Sequence, residues 1–338
     1  MKEVIWIRRL ALLGALLCFG VVVLGGYTRL SDSGLGCPDW PGCFGHVAPT
    51  GSAEHYATDA DVRKAWTEMI HRYAASTLGL IIVVIAAFSI RARREPGVSV
   101  WFAIALLLLV VFQGILGMLT VTWLLKPLIV TGHLVGGLTT FALLLWLWLS
   151  LRARTRPVDG RSVLAGNIVA EGGTRARLWA GMALGALAIQ VWLGGWTSSN
   201  YAAVACPDVP KCQDQWIPEA NFRDAFVLWH GLGINYAGGV LDHPARVAIH
   251  FTHRVGALVA TLLLLLAVLA SFRGLGPGPR RAGVLVLLAL GLQLSIGVFM
   301  VLRAFPLPLA AAHNAGAALL VGATVFLNRQ LRPVADFR

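Results

Sequence analysis

Four histidines form the pattern in this chain with the clearest chemistry: His71 and His133 in the first half, His253 and His313 in the second. Each lies in an apolar stretch, where an ionisable side chain is costly and usually faces a bundle interior to serve a site. Two imidazoles opposed across a four-helix bundle suit axial ligation of haem iron. The same residues also suit interhelical hydrogen bonding. Zinc or copper would need third and fourth ligands, which neither half offers nearby. Glu68 lies three residues before His71, about 4.5 Å along the same helical face. The residue three before His253 is His250. A carboxylate at that place can take a proton or stabilise positive charge developing on a bound substrate. An interfacial pair with Arg72 or Lys64 is the competing reading. The mismatch of Glu68 with His250 points to divided labour, the first site catalytic and the second holding a cofactor.

The elements that position these residues come in duplicate. Residues 24–43, LGGYTRLSDSGLGCPDWPGC, align without gaps with residues 193–212, LGGWTSSNYAAVACPDVPKC, sharing nine of twenty identities. His71-Arg72 recurs as His253-Arg254, and Gln113 and His133 recur as Gln293 and His313. The period far exceeds the 20–50 residues of solenoid units, so it reads as a duplicated half-protein.

The chain is 57% hydrophobic and 13% charged, against roughly 25% charged for soluble domains. An all-α polytopic membrane protein follows. Eight stretches are long enough to span, near 10–29, 66–90, 99–121, 128–150, 177–198, 245–270, 282–302 and 308–328. Four fall in each half, so the expected fold is two tandem, pseudo-symmetric four-helix bundles in parallel orientation. The expected divisions are 1–151 and 177–338, joined by a linker over 152–176. The net charge of +12 does not form a basic face interleaved with aromatics, which argues against nucleic acid. Instead 18 of the 28 basic residues lie at the termini, the central linker and two short connections. That places these segments, with both termini, in the cytoplasm and both cysteine loops outside. The first span keeps the repeated LGGYT end and lacks an A-x-A cleavage site, so it belongs to the fold and is not a signal peptide. With no mitochondrial-type presequence, a bacterial inner membrane is favoured.

Cys37 and Cys43 share one outer loop, and Cys206 and Cys212 the other, at equal spacing. An oxidising compartment favours a disulfide within each loop; redox-active pairs and a shared four-cysteine metal site are the alternatives. Cys18, alone in the first span, reads as a small buried residue. Glycines near the histidines, among them Gly25, Gly26, Gly132, Gly136, Gly137, Gly194, Gly195 and Gly316, admit either a flat macrocycle or a close helix. Arg72 and Arg254 suit either propionate neutralisation or snorkelling. His46, His55, His230 and His243 read as loop residues.

The eight spans in two halves, the EMIHR segment, the duplicated CPDxPxC loops and the four-histidine layout together resemble the haem A synthase family over essentially the whole chain. The resemblance implies haem O as substrate at His71 and His133, Glu68 as catalytic carboxylate, and His253 and His313 as axial ligands of haem b. It also implies Cys37–Cys43 and Cys206–Cys212 disulfides. The family reaction oxidises the C8 methyl of haem O through an alcohol and a geminal diol, which loses water to give the formyl group. The implied partners are the lipid bilayer, haem O synthase and an electron carrier, and an oligomer is compatible with the pattern. A two-haem b electron-transfer protein without macrocycle chemistry is the main alternative, and a transporter the third.

Overall fold

The computed structural model describes residues 2–49, 58–154, 169–273 and 275–332. Eight helices are long and apolar enough to cross a membrane, and no strand occurs among the described residues. In chain order they are α1 (Lys2–Leu30), α2 (Asp59–Arg91), α3 (Val100–Thr122), α4 (Pro127–Arg154), α5 (Val169–Ser199), α6 (His243–Ser271), α7 (Pro277–Leu302) and α8 (Leu307–Gln330). The chain is a multi-pass membrane protein. Its outward side chains agree: Leu16 is 64% exposed and Trp101 80%, a surface that only lipid covers without cost.

The helices outrun the apolar stretches because polar caps extend them. Thr58 caps α2 in a reciprocal capping box with Asp61, and Asp242 caps α6 by accepting from the Ala245 N–H. The segment expected to be a linker over 152–176 is helical at both ends, since α4 runs to Arg154 and α5 starts at Val169. Residues 155–168 of that segment, and His55, lie outside the described residues.

Helices α1 to α4 pack in a ring, each touching the next and α4 returning to α1; α5 to α8 do the same. The two sets meet through α1 with α8, α4 with α5, and α4 with α8. Near the chain termini all eight contribute to one apolar core, including Ile7, Ile82, Leu106, Leu144, Ala183, Leu264, Val286 and Leu327. Polar groups tie the two sets together where lipid offers no partner. Asn314 Nδ2 donates to Val22 O at 3.0 Å, and Thr131 and Ser199 hydroxyls meet at 3.2 Å.

Equivalent turns deliver α4 and α8. Leu124 and Leu125, like Ala304 and Phe305, adopt positive φ. Leu125 N–H closes onto Thr120 O, and Phe305 N–H onto Met300 O, each at 2.8 Å, a 6→1 helix-end bond. A proline then opens the next helix at Pro127, or caps it at Pro306. The long loop after α5 reaches back over the first of these turns. Lys126 is 1% exposed; it donates to Gly231 O and stands 3.0 Å from the Trp229 ring centre.

At Gly26 α1 is packed against α8, since a Cβ there would overlap the Asn314 amide, whereas Gly20 faces open space. Gly26→Val should cost about 1–3 kcal/mol through overpacking, and Gly20→Val should be near neutral. Thermal unfolding of the detergent-solubilised protein checks this. Equal effects of the two would contradict the packing described.

Candidate functional site

The apolar core gives way, toward the cysteine-loop end, to a cavity of about 1830 Å³ that is continuous across both helix sets. That is roughly twice the upper end of the 300–1,000 Å³ usual for a small-ligand pocket. All four sequence-identified histidines line it, as do Glu68, Arg72, His250 and Arg254. His71 on α2 and His133 on α4 face each other with ring centres 6.3 Å apart and planes at 86°. Two metal–imidazole bonds of about 2 Å plus the ring half-widths fill about that distance. The Nδ1 atoms of His71, His133 and His313 are buried without a partner. Among the described residues no three His, Cys, Asp or Glu converge as a metal cluster, so each site offers an imidazole pair. That donor set, in a largely apolar cavity, fits a metal whose remaining ligands come from a macrocycle.

Each imidazole is seated against a glycine of the preceding helix. An added Cβ at Gly25 would stand 2.7 Å from His71 Cε1; at Gly117, 3.4 Å from His133 Cε1; at Gly194, 3.2 Å from His253 Cε1; at Gly297, 3.1 Å from His313 Cε1. Gly25 and Gly194 belong to the sequence repeat. Gly117 and Gly297 carry a fainter signal, each standing four residues after one of the paired glutamines Gln113 and Gln293. Those glutamines fill the spaces beside Gly136 and Gly316.

Both cysteine pairs form disulfides, Cys37–Cys43 and Cys206–Cys212. The first packs on Ala65 and Met69 of α2, the second on Val247 of α6. An arginine secures each loop. Arg72 Nη1 donates to Asp39 O at 2.9 Å, Pro41 O at 3.3 Å and Gly42 O at 2.6 Å. Arg254 Nη1 donates to Asp208 O at 2.8 Å and Lys211 O at 2.7 Å, and its Nη2 to Cys206 O at 2.9 Å. Most of both guanidinium forks is thus committed to loop carbonyls.

The two sets part at the residue three before the first histidine of each pair. Glu68 is 4% exposed. Its Oε1 accepts from Arg72 Nη2 at 2.5 Å, and its Oε2 from the Cys37 N–H at 3.0 Å. The pairing with Arg72 weighed from sequence is therefore present, and it occurs at the cavity wall, not out in solvent. His250, also buried, accepts from Arg254 Nε at 3.2 Å. A second difference lies on the neighbouring helix. Gln190 Nε2 donates to His253 O at 2.9 Å and lies 3.1 Å from His253 Nδ1, whereas the aligned residue on α1 is Val21. A side-chain partner on a ligand's far nitrogen fixes its ring, and only His253 of this pair has one. His46 and His230 are exposed; His243, also exposed, meets Gln213 at 2.6 Å.

The loops carry their own acid groups. Burial works to raise the Asp39 carboxyl, but the Gly45 and Phe44 N–H groups and Arg72 outweigh it and hold it below its usual 3.8. At Asp208, burial is likewise outweighed by the Asp214 and Gln213 N–H groups and Arg254. A depressed carboxyl contributes stability that is fully present above 3.8 and is lost as pH falls through the lower folded value. Amide-exchange protection of Phe44 and Gly45, corrected for intrinsic rates, should hold from neutral pH down to about 3.8 and then decline. Asp39→Asn should lower the protection at neutral pH and flatten the profile. An unchanged profile in that variant would refute the account.

The chain is similar to known proteins over most of its length. Residues 8–325 match the family model described as cytochrome oxidase assembly protein, COX15-CtaA. A heme A synthase of Shewanella oneidensis is 41% identical, over 96% of this chain and 96% of its own length. Heme A synthases of Rhizorhabdus wittichii and Caulobacter vibrioides are 27% and 29% identical, covering 95% and 94% of this chain and 92% and 94% of their own lengths. On the extent of these matches, the chain belongs to the COX15-CtaA family of cytochrome oxidase assembly proteins.

Proposed function

We propose that this protein is a haem A synthase, a membrane oxidoreductase that converts the C8 methyl group of haem O to a formyl group. The relatives carry that name, and one observation supports our reading of the halves: a buried carboxylate, Glu68, lines the cavity with His71 and His133, where the other half has His250. In this reading haem O binds at His71 and His133, and haem b is held by His253 and His313. Gln190 beside His253 supports a permanent group there, because a fixed ring is a better lasting ligand. Haem b, when bound, supplies one-electron redox chemistry.

Glu68 is oriented before substrate arrives. Arg72 and the Cys37 N–H each occupy a lone pair, and every carboxylate oxygen has a second. A remaining lone pair can take the proton of a water attacking the methyl-derived carbon, or face positive charge developing there. The Cys37–Cys43 loop lines the site through Asp39, Trp40, Pro41 and Gly42, and its Cys37 N–H positions the base. The apolar cavity wall suits the substrate's isoprenoid tail, and the basic termini and connections favour cytoplasmic ends with both disulfide loops outside. The two rings of four helices then act as a substrate bundle and a cofactor bundle, the products of one duplication.

The protein expressed with a supply of haem O, followed by chromatography of extracted haems, tests the reading. Haem A or its alcohol precursor should accumulate. Glu68→Gln should lower both by about 100-fold or more while haem b content stays unchanged. Haem O left unconverted by folded wild-type protein would overturn it.

A further inference from the structure

Four arginines line the cavity: Arg29, Arg72, Arg246 and Arg254. Three have acceptors within the protein. Arg72 and Arg254 hold the disulfide loops. Arg29 Nη2 donates to Ser198 O at 2.8 Å, its Nη1 lies 3.6 Å from Asp32, and its guanidinium stands 4.1 Å from the Tyr201 ring centre. Arg246 differs. Its guanidinium has no acceptor among the described residues; its Nε, like that of Arg29, is buried and unpartnered. Arg246 is half-buried at the cavity wall, and a guanidinium partly drawn from water without a protein acceptor is a ready partner for an anion.

Its position says which anion. Arg246, His250 and His253 follow at spacings of four and three along α6, so they share one helical face. Arg246 lies seven residues from His253, about 10 Å nearer the loop end of the helix. A macrocycle whose iron is held by His253 carries its two carboxylates along one edge, and this is the end they must reach to be charge-paired. The residue aligned with Arg246 in the first half is Lys64; it is not among the cavity-lining residues, and its carbonyl packs against Gly36.

We infer that Arg246 is a carboxylate anchor for the tetrapyrrole held by His253 and His313, a binding residue whose Lys64 counterpart does not reach the cavity. The inference rests on the haem b assignment above. It also explains the division between bundles: a charged anchor retains a permanent cofactor, and its absence lets a substrate exchange.

Full-length protein purified from haem-starved cells and titrated with haem b, or with haem b dimethyl ester, tests this. Wild type should bind the free acid about tenfold or more tightly than the ester, as expected for a charge-assisted bond. Arg246→Gln should bind both forms alike, at the affinity of the ester. Arg246→Lys should keep most of the preference, and it serves as the informative variant if the glutamine protein folds poorly. A wild-type acid preference retained in Arg246→Gln overturns the inference alone. If instead His253→Ala/His313→Ala binds haem b as well as wild type, the haem b assignment fails and the inference with it.

Discussion

Inside a bundle of membrane-spanning helices, an imidazole can present a ring edge to a ligand only if the neighbouring backbone makes room for the rest of the ring. That steric condition is met four times, by Gly25, Gly117, Gly194 and Gly297 against His71, His133, His253 and His313. A Cβ at Gly25 would overlap its imidazole and one at Gly194 or Gly297 would crowd it, whereas at Gly117 it would make ordinary contact, so at three of the four places the glycine–imidazole contact sets helix spacing and ring position together. The wide cavity at the loop end and the tight apolar core at the terminal end follow from it. Helices cannot close where rings and a ligand must fit, so packing is recovered farther along.

The disulfide loops form the next layer. Each is covalently closed, braced by its own aspartate and clamped by an arginine that follows a site histidine. In the first half that clamp also holds Glu68, so loop, arginine and carboxylate behave as one unit. In the second half the same arginine meets His250, and a glutamine fixes the neighbouring imidazole. Thus the shared frame is mechanical and the differences are chemical. One half presents a carboxylate to whatever binds, and the other presents a better-fixed ring and an unpaired cation.

Much of this was legible in the sequence because membrane constraints are severe. Span count, paired histidines, paired cysteines and the Glu68–His250 mismatch all show as residue type at fixed offset. The structure added what depends on side-chain direction. The sequence shows Arg72 beside His71 but not that its fork turns toward three loop carbonyls. Gly117 and Gly297 hid among other glycines of apolar spans, and their meaning appears only with a ring against them. Gln190 and Arg246 were unreadable as partners because each acts across a distance that helix phase and neighbouring packing decide.

In the proposed function one frame holds two different macrocycles, with the first histidine pair serving the substrate and the second the cofactor. Haem type bound per purified protein, measured by chromatography after co-expression with a haem O supply, addresses it most directly. His71→Ala/His133→Ala should lose bound haem O and its oxidised products while keeping haem b, and His253→Ala/His313→Ala should lose haem b. Loss of the same haem from both variants, or of haem b from the first alone, would contradict the account.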